Sequence, residues 1–105
     1  MHDFSIWDVW YATAHDFRYA EPKERPVLVL CTGSQTIVVL LMSSVGRNSF
    51  TDYSLQDWHE AGLEKPTIVM LGSRISLDKA VFRRRTGSIS QVDRDAIIAK
   101  LGELY

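Results

Sequence analysis

Cysteine is nearly absent from this 105-residue chain: Cys31 has no second thiol for an internal disulfide and lies in an apolar run, so it reads as a small buried hydrophobe in a reducing compartment. Histidine is scarce too. His2, His15 and His59 are scattered along the chain and form no zinc-ligand spacing with the one cysteine. Neither sign of charge is in surplus, with 12 Lys and Arg against 13 Asp and Glu, so no whole-molecule field attracts or repels nucleic acid. Any anion-binding surface has to be local. No stretch approaches the ~18 consecutive apolar residues of a membrane span, and the opening MHDFSIWDVW lacks the basic and apolar regions of a secretory signal. A soluble, cytoplasmic protein with no membrane contact is expected. Internal repeats, low-complexity tracts and linkers are also missing.

A hydrophobic content of 46% over 105 residues supplies one core and is too little for two, so residues 1–105 are read as a single domain. Its centre is KERPVLVLCTGSQTIVVLLMSS, residues 23–44. The apolar runs 26–32 and 36–42 flank Gly33-Ser34-Gln35, a turn of hairpin length, and predict two strands buried on both faces. Pro26 is placed at the first position of its strand, where a missing N–H costs little. Aromatic and β-branched residues predict an earlier strand over 7–14, followed by a polar loop over 15–24 that is long for so small a domain. Further strands are expected over 67–71, continuing past a bulge at Gly72-Ser73 to 77, and over 80–86.

Two capping boxes stand out. Ser54-Leu55-Gln56-Asp57 predicts a short helix over 55–61 that Gly62 ends; Ser90-Gln91-Val92-Asp93 predicts an amphipathic helix over 91–103, with Val92, Ala96, Ile97, Leu101 and Leu104 at helical spacing. The expected fold is mainly β, within the α+β class. It is a small β-barrel of five to six strands with a short inserted helix and a C-terminal amphipathic helix.

Few residues suggest chemistry. Arg25 stands between a charged loop and a rigid strand, so its guanidinium is either a fixed phosphate or carboxylate ligand or a solvated strand end. Ser43 and Ser44 close the next strand of the same hairpin. If the register permits, one hydroxyl reaches Arg25; otherwise both serines serve the turn. His15, in the first loop, has the ordinary imidazole pKa near ~6.5 that suits proton transfer at neutral pH, or is simply solvated. Arg83-Arg84-Arg85 is the one dense positive cluster, with Arg83 and Arg85 on one strand face. It contacts successive phosphates or discourages aggregation at an edge strand. Arg47 and Arg74 are further substrate-binding candidates. Phe17, Tyr19 and Phe50 fall in predicted loops, where aromatics stack unpaired bases or fold back onto the core.

Taken together, WDVWYATA, the ERPVLVL strand after a variable loop, the LLMSS strand end, and the tail from LEKPTIVMLGSRISLDK to GSISQVDRDAIIAKL resemble the PemK/MazF family of bacterial toxins. The resemblance spans nearly the whole chain. It implies an SH3-like β-barrel, a homodimer, cleavage of single-stranded RNA at short motifs without metal or other cofactor, and neutralisation by a cognate antitoxin. Carried over, the catalytic arginine of the R-P pair is Arg25 and the strand-end hydroxyl is Ser43, with Ser44 beside it; the first-loop histidine of some members corresponds to His15.

The chain departs from the family pattern at three places. Trp7 stands where a glycine commonly precedes the D-(I/V)-W core, Ser43 replaces a threonine, and Val69-Met70-Leu71-Gly72 replaces V-R-L-D. Met70 and Gly72 therefore remove two polar groups. They keep open a second reading, a non-catalytic barrel that binds a protein partner or nucleic acid without cutting it.

Overall fold

A computed structural model describes residues 3–14, 23–44 and 51–104. Among the described residues there are six strands: β1 (Asp8–Ala14), β2 (Lys23–Thr32), β3 (Thr36–Ser43), β4 (Asp52–Ser54), β5 (Ile68–Asp78) and β6 (Phe82–Ser88). A 3-10 turn, Lys79–Val81, joins the last two, and helix α1 (Gln91–Leu104) follows. The strands form one antiparallel sheet in the order β4-β5-β3-β2-β1-β6. The expected barrel is thus an open, six-stranded sheet whose edges are β4 and β6.

The central hairpin forms as its hydrophobicity predicts, because alternating side chains on both strands find cover on both sides. Val9, Leu28, Leu40, Met42, Val69 and Leu71 share one core with Ile97, which α1 presses onto it. On the other side Trp10, Ala12, Val27, Val29, Leu41 and Phe82 pack together. Phe4 completes that second core, 4.5 Å from Trp10 and 5.0 Å from Phe82 between ring centroids. The bulge expected at Gly72-Ser73 is present. In the β3–β5 pairing Leu40 faces Arg74 and Met42 faces Val69, and Ser73 Oγ stitches the excess residues by donating to the Met70 carbonyl at 2.6 Å and accepting from Leu41 N at 3.0 Å.

Three local expectations are corrected. Cys31 is exposed, because the β2–β3 register shifts between Val29 and Cys31, and the extra residue ends the two-sided burial of the strand. Pro26 is not the first residue of its strand: β2 begins at Lys23 by pairing with β1, and the pairing with β3 starts just after Pro26, at Val27. The short inserted helix is replaced by a series of turns over 58–62, held by Ala61 N to Asp57 O at 3.3 Å and Gly62 N to His59 O at 3.0 Å. Its would-be first N–H groups, on Gln56 and Asp57, are drawn to Asp93 at 2.9 and 3.0 Å, so Ser54 does not cap a helix there.

Helix α1 starts where its capping box predicts, with Asp93 N donating to Ser90 Oγ at 3.2 Å. Its buried stripe is Asp93 and Ile97, continued by Leu101 and Leu104, while Val92 and Ile98 face solvent.

Trp7 takes a left-handed backbone conformation, φ 77°, at the position where the family's glycine is replaced. Two long-range hydrogen bonds fix it: Trp7 N to Val29 O at 2.8 Å and Ile89 N to Trp7 O at 3.1 Å.

Candidate active site

The register of the central hairpin decides where Arg25 and Ser43 lie. Val27 faces Leu41 and Leu28 faces Leu40; carried two residues further, the same alignment sets Arg25 opposite Ser43. A pocket of about 200 Å³ opens at this end of the sheet. Strand β2 contributes Glu24, Arg25 and Pro26 to it, and β3 contributes Met42 and Ser43, with Ser44 just beyond. Tyr11 of β1 forms a third side, and the segment 63–67 supplies Leu63, Glu64, Lys65 and Thr67. Arg25 is half-buried, Ser43 is 2% exposed and Ser44 is open to solvent.

The segment 63–67 is held in place from a distance. Asp93, fully buried at the start of α1, accepts the Tyr53 hydroxyl at 2.6 Å as well as the Gln56 and Asp57 amides. A carboxylate in the first turn of a helix also meets the positive end of the helix dipole. Tyr53 is held well above the ordinary phenol range, first by burial and then by its hydrogen bond to the Asp93 carboxylate and that group's charge. On the far side of the turns, Thr86 Oγ1 lies 2.9 Å from the Ala61 carbonyl, which it meets as donor. Gly62, at φ 81°, passes so close to β6 that a Cβ would stand 2.2 Å from the Thr86 carbonyl oxygen. The chain then returns as Leu63 to Thr67, where Thr67 Oγ1 donates to the Lys65 carbonyl at 2.9 Å.

The arginine cluster of β6 is divided in its partners. Arg85 Nε lies 3.2 Å from Oδ1 of the buried Asp8, and its Nη2 donates to Ser88 Oγ at 3.1 Å. Arg83 Nε donates to Thr13 Oγ1 at 3.2 Å. Arg84 lies over the ring of Tyr11, its Cζ 4.4 Å from the centroid, and so stands beside the pocket.

Of the other sequence candidates, Arg74 lies opposite Leu40 and lines a separate apolar groove of about 400 Å³ with Leu30, Leu71 and Leu101. His15 and Arg47 fall outside the described residues, as do Phe17, Tyr19 and Phe50. Met70 is buried in the second core and Gly72 is exposed; neither lines the pocket, so the departures from V-R-L-D leave the Arg25–Ser43 wall intact. Glu24, Lys65 and Tyr11 were missed by sequence reasoning. The adjacency of Glu24 to Arg25 was visible, but Tyr11 and Lys65 reach the pocket only through pairing and turns that span much of the chain.

The family model of the PemK-like, MazF-like toxin of type II toxin–antitoxin systems matches residues 5–105. The chain belongs to this family. Its members are endoribonucleases, and the fold agrees with solved toxins. The Mycobacterium tuberculosis toxin MazF-mt6 superposes with a TM-score of 0.71 at 18% identity, covering 90% of this chain and 92% of that one. An endoribonuclease in complex with its cognate antitoxin, from a mycobacterial species, gives a TM-score of 0.70 at 15% identity, covering 93% and 90%. No curated protein matches the toxin at a significant level. Among the described residues no helix is long and apolar enough to cross a membrane.

Proposed function

We propose that this PemK/MazF-family toxin cleaves single-stranded RNA at a short sequence motif, by attack of a ribose 2′-hydroxyl on the adjacent phosphorus. The observation that carries the reading is the one pocket that Arg25 and Ser43 both line at the end of the central hairpin. In the reaction the 2′-oxygen bonds to phosphorus and the bond to the 5′-oxygen breaks. A 2′,3′-cyclic phosphate remains on one fragment and a 5′-hydroxyl on the other. DNA lacks the nucleophile.

Arg25 neutralises charge building on the phosphoryl oxygens with its planar fork; a donor so placed is worth about 10²–10³ in rate. Because guanidinium stays protonated, it does not serve as the base. Ser43 hydrogen-bonds the 2′-hydroxyl or the phosphate and holds the attacking oxygen in line, with Ser44 on the solvent side of the same wall. Proton transfer falls to His15, between β1 and β2 in the sequence, and Glu24 is a carboxylate at the pocket wall suited to the same task. The toxin acts in the cytoplasm as a homodimer. It is neutralised by a cognate antitoxin, and the antitoxin-bound mycobacterial neighbour supports that partner.

The test is incubation of the purified toxin with a long single-stranded RNA in EDTA, alongside Arg25→Ala, with analysis of the cut ends. Cyclic phosphate and 5′-hydroxyl ends, lost in Arg25→Ala, are expected. Intact RNA, cutting abolished by EDTA, or cutting undiminished by Arg25→Ala overturns the mechanism.

A further inference from the structure

We infer that Arg84, lying over the ring of Tyr11, is a phosphate-binding residue of the toxin that holds the RNA strand beside the Arg25–Ser43 pocket; this rests on the function proposed above. Arg83, Arg84 and Arg85 are consecutive, yet the sheet gives them different tasks. Arg85 is committed to the fold, since Asp8, only 3% exposed, needs its charge at 3.2 Å. A carboxylate so buried without a cation is costly, and Arg85 also donates to Ser88. Arg83 is directed to Thr13 on β1.

Arg84 differs because of where its partner stands. Tyr11 faces Pro26 on one side and Arg84 on the other in the strand ladders, and its side chain lines the pocket. The guanidinium lies over the ring, its Cζ 4.4 Å from the centroid, a contact that holds it there without occupying its N–H groups. Those donors remain for a phosphate, and the ring supplies the rigid support that an exposed arginine otherwise lacks. A strand of RNA whose reacting phosphate sits on Arg25 places a neighbouring phosphate along the wall that Tyr11 and Arg84 build. Lys65, on the side formed by residues 63–67, adds positive charge across the opening.

The experiment measures binding of a single-stranded RNA made uncleavable by 2′-O-methyl groups, over a series of salt concentrations. For single strands each neutralised phosphate contributes about 0.7 to the slope of log K against log salt. Arg84→Ala is expected to lower the magnitude of the slope by about 0.7, and Arg84→Lys to restore the slope at weaker affinity, because it keeps the charge and loses the planar donor fork. A slope unchanged in Arg84→Ala, or lowered only in Arg83→Ala, overturns the assignment while leaving RNA cleavage standing. Failure of the wild-type toxin to bind this RNA while it still cuts unmodified RNA also overturns the assignment; failure in both assays overturns the proposed function with it. Thermal melts of each variant separate a lost contact from a lost fold, since Arg84 is exposed and its removal is expected to leave the transition in place.

Discussion

Tyr53 donates its hydroxyl to Asp93 across 2.6 Å, joining the short strand β4 to the first turn of α1. The same carboxylate takes the amides of Gln56 and Asp57, so one buried group orders the turns that lead into the pocket wall. Replacing Asp93 with Asn keeps the size but turns one acceptor into a donor that faces N–H groups. Chemical denaturation of Asp93→Asn is expected to show a loss of about 2–4 kcal/mol, against about 1–2 kcal/mol for Tyr53→Phe, which removes a single bond. Equal, negligible losses would mean that the network does not hold the segment.

The same pair gives a pH dependence. Folding raises the Tyr53 phenol above its ordinary value of 10.0, so the contribution is fully present below pH 10 and is lost as pH rises toward the folded value. Unfolding free energy measured between pH 9 and about pH 11.5 is expected to decline in the wild type and to decline less steeply in Tyr53→Phe. Parallel curves would contradict the assignment.

Trp7 reverses an ordinary rule. At φ 77° any Cβ is strained, so Trp7→Gly is expected to be more stable than Trp7→Ala by about 1 kcal/mol, although glycine is normally the weaker choice. Both variants lose the packing of the indole on the core, which makes their difference a measure of the backbone alone. Urea melts of the two decide it; an alanine variant at least as stable as the glycine one would contradict the strain.

Gly62 is the other position where the backbone leaves no room. With φ 81° and the Thr86 carbonyl 2.2 Å from a Cβ, Gly62→Ala has to push the turn off β6. A loss of roughly 2–3 kcal/mol is expected in denaturation, by strain and overpacking together. Cleavage is expected to weaken as well, because the displaced turn runs directly into Leu63, Glu64 and Lys65.

Much of this architecture could be read from local signals. The central hairpin announced itself through two apolar runs and a glycine turn, the bulge through Gly72-Ser73, and α1 through Ser90 and Asp93. The pocket was legible only as two strand ends, Arg25 and Ser43, whose meeting depended on register. What local reasoning could not see was competition over distance. Ser54 and Asp57 look like a helix start, yet the amides there are captured by Asp93, 37 residues beyond Gln56. Alternation put Arg83 and Arg85 on one strand face but could not show that Arg85 pairs with buried Asp8 or that Arg84 lies over Tyr11. A single bulge carried Cys31 out of the core.

The account stands on Arg25 and Ser43 acting on one phosphate. The direct measurement is a double-mutant cycle on single-turnover RNA cleavage with Arg25→Ala, Ser43→Ala and the double variant. Groups that serve the same transition state are strongly non-additive, so the double variant is expected to cut little more slowly than Arg25→Ala alone, itself down by about 10²–10³. Multiplying, independent losses would contradict a shared site.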